Sequence, residues 1–168
     1  MSSILALTLW PEWAWAITHL GKDVENRTER FARQIAKRVG DGWLAIHAGV
    51  KRPADFAAVA AMYDGQVDAF PGDADDPSAS ADPGWLFGGR SGVFIKDADL
   101  PRGAIVALAK IGDVLLPGAQ APWKLTFSAA LALSPVLILP EPIPCKGQQG
   151  LWTPPPDVQE RLRAALEK

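Results

Sequence analysis

At 168 residues, with 48% hydrophobic and 21% charged residues and a formal net charge of −2, the chain suits one domain with a single core; it is too short for two and too apolar for wholesale disorder. No apolar run reaches the roughly 18 residues of a membrane span, and the N-terminus lacks a basic stretch followed by an apolar one and a cleavage site, so a cytoplasmic protein without membrane contact is expected. The single cysteine, Cys145, excludes an internal disulfide, and with only His19 and His47 as histidines neither a metal site nor a cofactor is expected.

The charge is unevenly spread. Six aspartates and no Lys or Arg lie between Asp64 and Asp82, which leaves 17 basic against 13 acidic residues elsewhere. From Lys22 to Arg52 eight basic residues face four acidic ones. Such local basic clustering is the footprint of a nucleic-acid binder, and equally of an ordinary solvated face.

In chain order, the alternating apolar run Ile4 to Trp10 predicts a first strand, and Pro11 suits the first turn of a helix over Pro11 to Leu20. Gly21 then ends that helix in a left-handed conformation, which puts Lys22 at the negative end of the helix dipole. Asp23 to Glu29 reads as a second strand, with Asp23, Glu25 and Arg27 on one face. Ala32 to Val39 has helical spacing and a glycine stop, and Gly42 to Ala48 is an apolar strand that carries His47. Pro53 to Tyr63 reads as a surface helix, and Asp64 to Gly84, rich in Asp, Pro, Gly and Ser, as a solvated insertion loop.

Beyond it, strands are expected over Gly103 to Leu116, Lys124 to Leu133 and Val136 to Leu139, followed by the proline-bounded segment Pro140 to Pro144. The glycine-flanked loop Gly147 to Gly150 precedes the anchor Leu151-Trp152, and a C-terminal helix over Asp157 to Lys168 takes Asp157 as its N-cap. Five or six strands with short helices among them, and no regular alternation, predict a single α+β domain with a curved, barrel-like mixed sheet.

The stretch Gly21-Lys22-Asp23-Val24-Glu25-Asn26-Arg27 resembles the signature Gly-x-Lys-x-x-Glu-x-Arg of the ASCH domain family, a branch of the PUA-like fold, with the Gly–Lys spacing one residue shorter. Four further blocks agree in order: Trp13 to Ile17, Ile46 to Gly49, Leu100 to Val106, and Pro144 to Gly147 with Gly150 to Trp152. The resemblance covers most of the chain outside the Asp-rich segment. It implies a PUA-like β-barrel of mixed strands flanked by short helices, with a cleft lined by the signature strand that binds RNA or another nucleic acid. A branch of the family resembles amidohydrolases that remove acyl groups from modified cytidine, and ribonuclease activity is associated with another. The amidohydrolase branch carries a Thr three positions after its Lys, where this chain has Glu25, so the resemblance implies binding more than a hydroxyl nucleophile.

A cation beside a carboxylate in a partly apolar cleft can hold a phosphate, accept an exocyclic amino group, or act as oxyanion stabiliser and general base. Lys22, Glu25 and Arg27 are therefore the expected nucleic-acid contacts, with Lys22 and Glu25 as the catalytic pair of the hydrolase alternative. The bland reading is an exposed strand ion pair worth about 0.5 kcal/mol. Trp10 is the expected stacking face, since it stands at the strand end, whereas helical spacing gives Trp13 to the core. Lys146 and Gln148 are expected on the rim, where backbone N–H groups of their loop could approach a phosphate. His47 is expected to support the site from behind, its commoner role being that of a hydrogen-bonded core histidine. A third reading makes the fold a protein-interaction module with the Asp-rich loop as its docking arm.

Overall fold

The computed structural model describes residues 3–51 and 97–167. The expected helix Pro53 to Tyr63 and the Asp-rich segment Asp64 to Gly84 lie outside those residues. Among the described residues six strands form one sheet: β1 (Leu5–Leu9), β2 (Val24–Arg27), β3 (Leu44–Ala48), β4 (Ala104–Leu115), β5 (Ala129–Pro144) and β6 (Leu151–Trp152). Three α-helices accompany them, α1 (Pro11–His19), α2 (Glu29–Val39) and α3 (Pro156–Leu166). The sheet order is β2-β5-β4-β3-β1-β6, parallel only between β1 and β3. It curls into a half barrel, so the chain is α+β with the curved mixed sheet its sequence predicts.

The curl has a local cause. Register shifts interrupt the β4–β5 ladder between Ile105 and Ala107, Ala109 and Ile111, and Ile111 and Val114, and each irregularity bends and twists the pair. Alternation then builds a core on both faces. Leu7, Leu9, Leu44 and Ile46 join Trp13, Ile17 and Ile35 of α1 and α2, while Ala6, Ala45, Ile105 and Leu108 join Val158 and Leu162 of α3. Covered on both sides, β3 is buried at every position, which explains its unbroken apolar run.

Several boundaries differ from expectation, each for a physical reason. The second strand stops at Arg27. Thr28, in an extended conformation, takes the N-cap position of α2, so Glu29 opens that helix and places its carboxylate in the first turn. Lys124 to Ser128 is turn rather than strand, because Trp123 has a left-handed φ of 63° and Asn26 holds the loop from across the sheet. The strands expected over Lys124 to Leu133 and Val136 to Leu139 are one, Ala129–Pro144, which also takes in the proline-bounded segment Pro140 to Pro144. β2 pairs with β5 only as far as Ala132, so the later prolines of β5, 135, 140, 142 and 144, follow the stretch flanked on both sides, in keeping with the confinement of proline to sheet edges. Pro155, not Asp157, occupies the N-cap position of α3, Pro156 is the first helical residue, and Asp157 lies in the first turn. No helix among the described residues is long and apolar enough to cross a membrane.

Candidate functional site

The end of α1 sets up the site. Gly21 takes φ +65°, as its position requires, and the Lys22 N–H folds back onto the Ala16 carbonyl, which also accepts from Leu20. That turn sends the Lys22 side chain inward. Only 1% of the residue is exposed, its ammonium donates to the Val24 carbonyl and to Glu25 Oε2 at 3.1 Å, and it lies 5.9 Å from the centre of the Trp13 ring. The charge thus serves the interior beside β2 and does not act as a solvated helix-end cation.

Glu25 links the two cations. Its Oε2 meets Lys22 and its Oε1 meets Arg27 Nη1 at 2.6 Å, with the Glu25 side chain 4% exposed and that of Arg27 26%. The exposed ion-pair reading is therefore wrong for this cluster: burial raises both the cost of ionisation and the strength of pairing. Burial pushes the Lys22 amine below its ordinary 10.5, and Glu25, by charge and hydrogen bond, opposes that shift. Arg27 adds a bond from Nη1 to the Asn26 carbonyl at 3.0 Å. Both of its protein bonds among the described residues use Nη1, so Nε and Nη2, three of the five guanidinium donors, remain available.

These side chains converge on a cavity of about 250 Å³ lined by Thr8, Leu9, Trp10, Trp13, Lys22, Glu25, Asn26, Arg27 and Leu125. Trp10 is 38% exposed, an aromatic face at the mouth, whereas Trp13 is core and cavity wall at once. Trp10, Lys22, Glu25 and Arg27 are thus brought together. The other three expected residues stand elsewhere. Lys146 and Gln148 are exposed and outside the lining, although the Gln148 carbonyl accepts from Thr8 Oγ1 at 2.7 Å, which ties their loop to the cavity's edge.

His47 is buried behind that loop, its Nε2 3.1 Å from the Cys145 carbonyl and its ring edge-on to Trp152. Burial pushes its pKa below 6.5 against the opposing effect of the Cys145 bond, so the neutral ring donates from Nε2. Burial likewise pushes the Cys145 thiol up, away from thiolate chemistry.

Sequence reasoning missed Thr8, Leu9, Asn26 and Leu125. Thr8 had a signal, the one polar residue in LALTL. Asn26 and Leu125 had none, because their contact spans 99 residues: Asn26 Oδ1 accepts from Leu125 N and Ser128 Oγ, both at 2.9 Å, while Nδ2 donates to the Trp123 carbonyl at 2.8 Å. Asn26 is therefore the pin that holds the outer wall against β2. Among the described residues no cluster of three or more His, Cys, Asp or Glu could hold a metal. The chain matches no protein-family model, and comparison with curated proteins gives no match.

Proposed function

We propose that the cavity binds RNA or a modified nucleotide, and that the chain is a PUA-like domain of the ASCH type. The observation that carries the reading is the convergence of an exposed aromatic, Trp10, with a buried Lys22–Glu25–Arg27 relay on one partly apolar cavity. A base stacks on Trp10, and the free donors of Arg27 take a phosphate as a planar fork. Glu25, held in place by two cations, accepts from an exocyclic amino group at the cavity wall.

Binding is favoured over hydrolysis by how the polar groups are spent. Both Glu25 oxygens are already engaged by cations, and Thr8, the hydroxyl of the lining, donates to Gln148 and accepts from Trp152 Nε1 at 3.0 Å. Neither a free base nor a free nucleophile results. Acetylated cytidine should accordingly bind without losing its acyl group.

The test is a salt titration of short single-stranded RNA against the protein, Arg27→Gln and Trp10→Ala. Loss of one phosphate contact should reduce the log–log salt slope by about 0.7, and loss of the stacking face should cost about 1–3 kcal/mol. Absence of salt-dependent binding, or affinities unchanged in both variants, would sink the reading. Both side chains reach solvent, so these variants test binding without removing a core residue.

A further inference from the structure

A second hollow, of about 510 Å³, adjoins the cavity. Asn26, Arg27 and Leu125 line both, so the two hollows are neighbours with a common wall. Its remaining walls are mainly apolar, with Pro117, Phe127 and Ala129 among them. Phe127 is 69% exposed, the most exposed large hydrophobic side chain among the described residues. It lies within the loop that Asn26 pins, between Leu125 and Ser128, where Ser128 Oγ bonds both Asn26 Oδ1 and the Leu125 carbonyl. An aromatic ring held in water beside an apolar hollow is an uncompensated hydrophobic cost in the free protein. Trp10 at the first hollow, Phe127 at the second and a cation with unspent donors on their shared wall are the residue types of single-strand binding, in which bases stack on successive aromatics and a guanidinium takes the intervening phosphate.

The geometry points to a second base subsite: the hollow beside Phe127 takes the neighbouring base of a single strand whose first base occupies the Trp10 cavity, with Arg27 on the phosphate between them. The inference rests on reading the first cavity as a nucleotide site. It adds that the ligand is a strand of at least two nucleotides and that a mononucleotide fills only half the groove. Charge complementarity selects this occupant over an apolar peptide, because Arg27 lines both hollows with unspent donors, while Glu29, the carboxylate of the second, is already paired with Arg33.

The experiment compares binding of a nucleoside monophosphate and of a short single-stranded RNA to the protein, Phe127→Ala and Phe127→Trp, with self-association followed by sedimentation. The RNA is expected to bind the parent protein at least tenfold more tightly than the mononucleotide. Phe127→Ala should weaken RNA by about 5- to 150-fold, the loss of one base–aromatic stack, and leave the mononucleotide unchanged, while Phe127→Trp keeps RNA affinity. Equal affinity for the two ligands, or an RNA affinity indifferent to Phe127→Ala, overturns the second subsite while the first stands. A parent protein that binds neither ligand overturns both. A dimer that Phe127→Ala dissolves, with RNA binding intact, assigns the ring to a second copy of the chain and also overturns the inference.

Discussion

Two buried polar clusters lie on either side of Thr8 and use opposite means. On one side Lys22, Glu25 and Arg27 hold one another by charge and border open space. On the other, His47, Trp152 and Thr8 are joined by neutral contacts and packed shut, to the degree that a Cβ on Gly147 would come within 2.3 Å of His47 Cε1, 2.6 Å of Nδ1 and 3.0 Å of Thr8 Oγ1. Charge next to a void is what a ligand site needs, since the field there is strong and unfilled. Neutral groups in close packing fix a loop and leave nothing to bind with.

The contrast can be broken hardest at Glu25. Glu25→Gln keeps the shape and removes the carboxylate that pairs with both cations, so it should destabilise the fold by about 3–5 kcal/mol in denaturant titration. Adding Lys22→Met should recover part of the loss, because the remaining buried charge is gone. The sign with pH follows from the lowered Lys22 pKa: between that value and 10.5 the unfolded chain binds more protons, so stability gains as pH rises through the window. Glu25→Gln removes the interaction that holds the amine up and should widen it. A loss below 1 kcal/mol would mean that the cluster is solvated and the contrast false. On the packed side Gly147→Ala should cost about 1–3 kcal/mol by overpacking, with no change in the salt dependence of RNA binding. A Gly147→Ala variant as stable as the parent would show the loop to be loose.

The two sides were also unequally legible in sequence. The cation–carboxylate relay was readable because it is local: a glycine in left-handed conformation, a short strand and i, i+2 spacing place Glu25 and Arg27 together within seven residues. Its burial was not readable, since Trp13 of the preceding helix packs beside Lys22 and the far wall of the cavity comes from a loop that Asn26 pins across 97–102 residues. The strand boundaries failed for the same reason. Whether Pro135 and Pro140 end a strand depends on whether a neighbour lies along that edge, and the partner list of β5 is a property of the folded sheet. His47 was readable as a core histidine from its apolar strand, while the loop that closes over it is fixed by Thr8 through contacts 140 and 144 residues apart.

The mildest probe is the protonation of His47, and it sharpens the contrast because it introduces charge into the neutral cluster. The residue is 1% exposed and no carboxylate pairs with it among the described residues, so the imidazolium has lost its water and keeps only the Cys145 carbonyl, with no counter-charge. Its pKa is lowered on folding. Above about 6.5 both native and unfolded rings are neutral and the contribution is constant; as pH falls below that value the unfolded chain takes up the proton first and stability drains away. One group limits the slope to about 1.4 kcal/mol per pH unit. Denaturation midpoints between pH 7 and 5 should therefore fall in the parent protein and flatten in His47→Gln, whose amide can still donate to the Cys145 carbonyl. An unchanged slope in that variant would move the acid sensitivity to another group and leave the cluster around Gly147 able to accept a charge, as the Lys22 side already does.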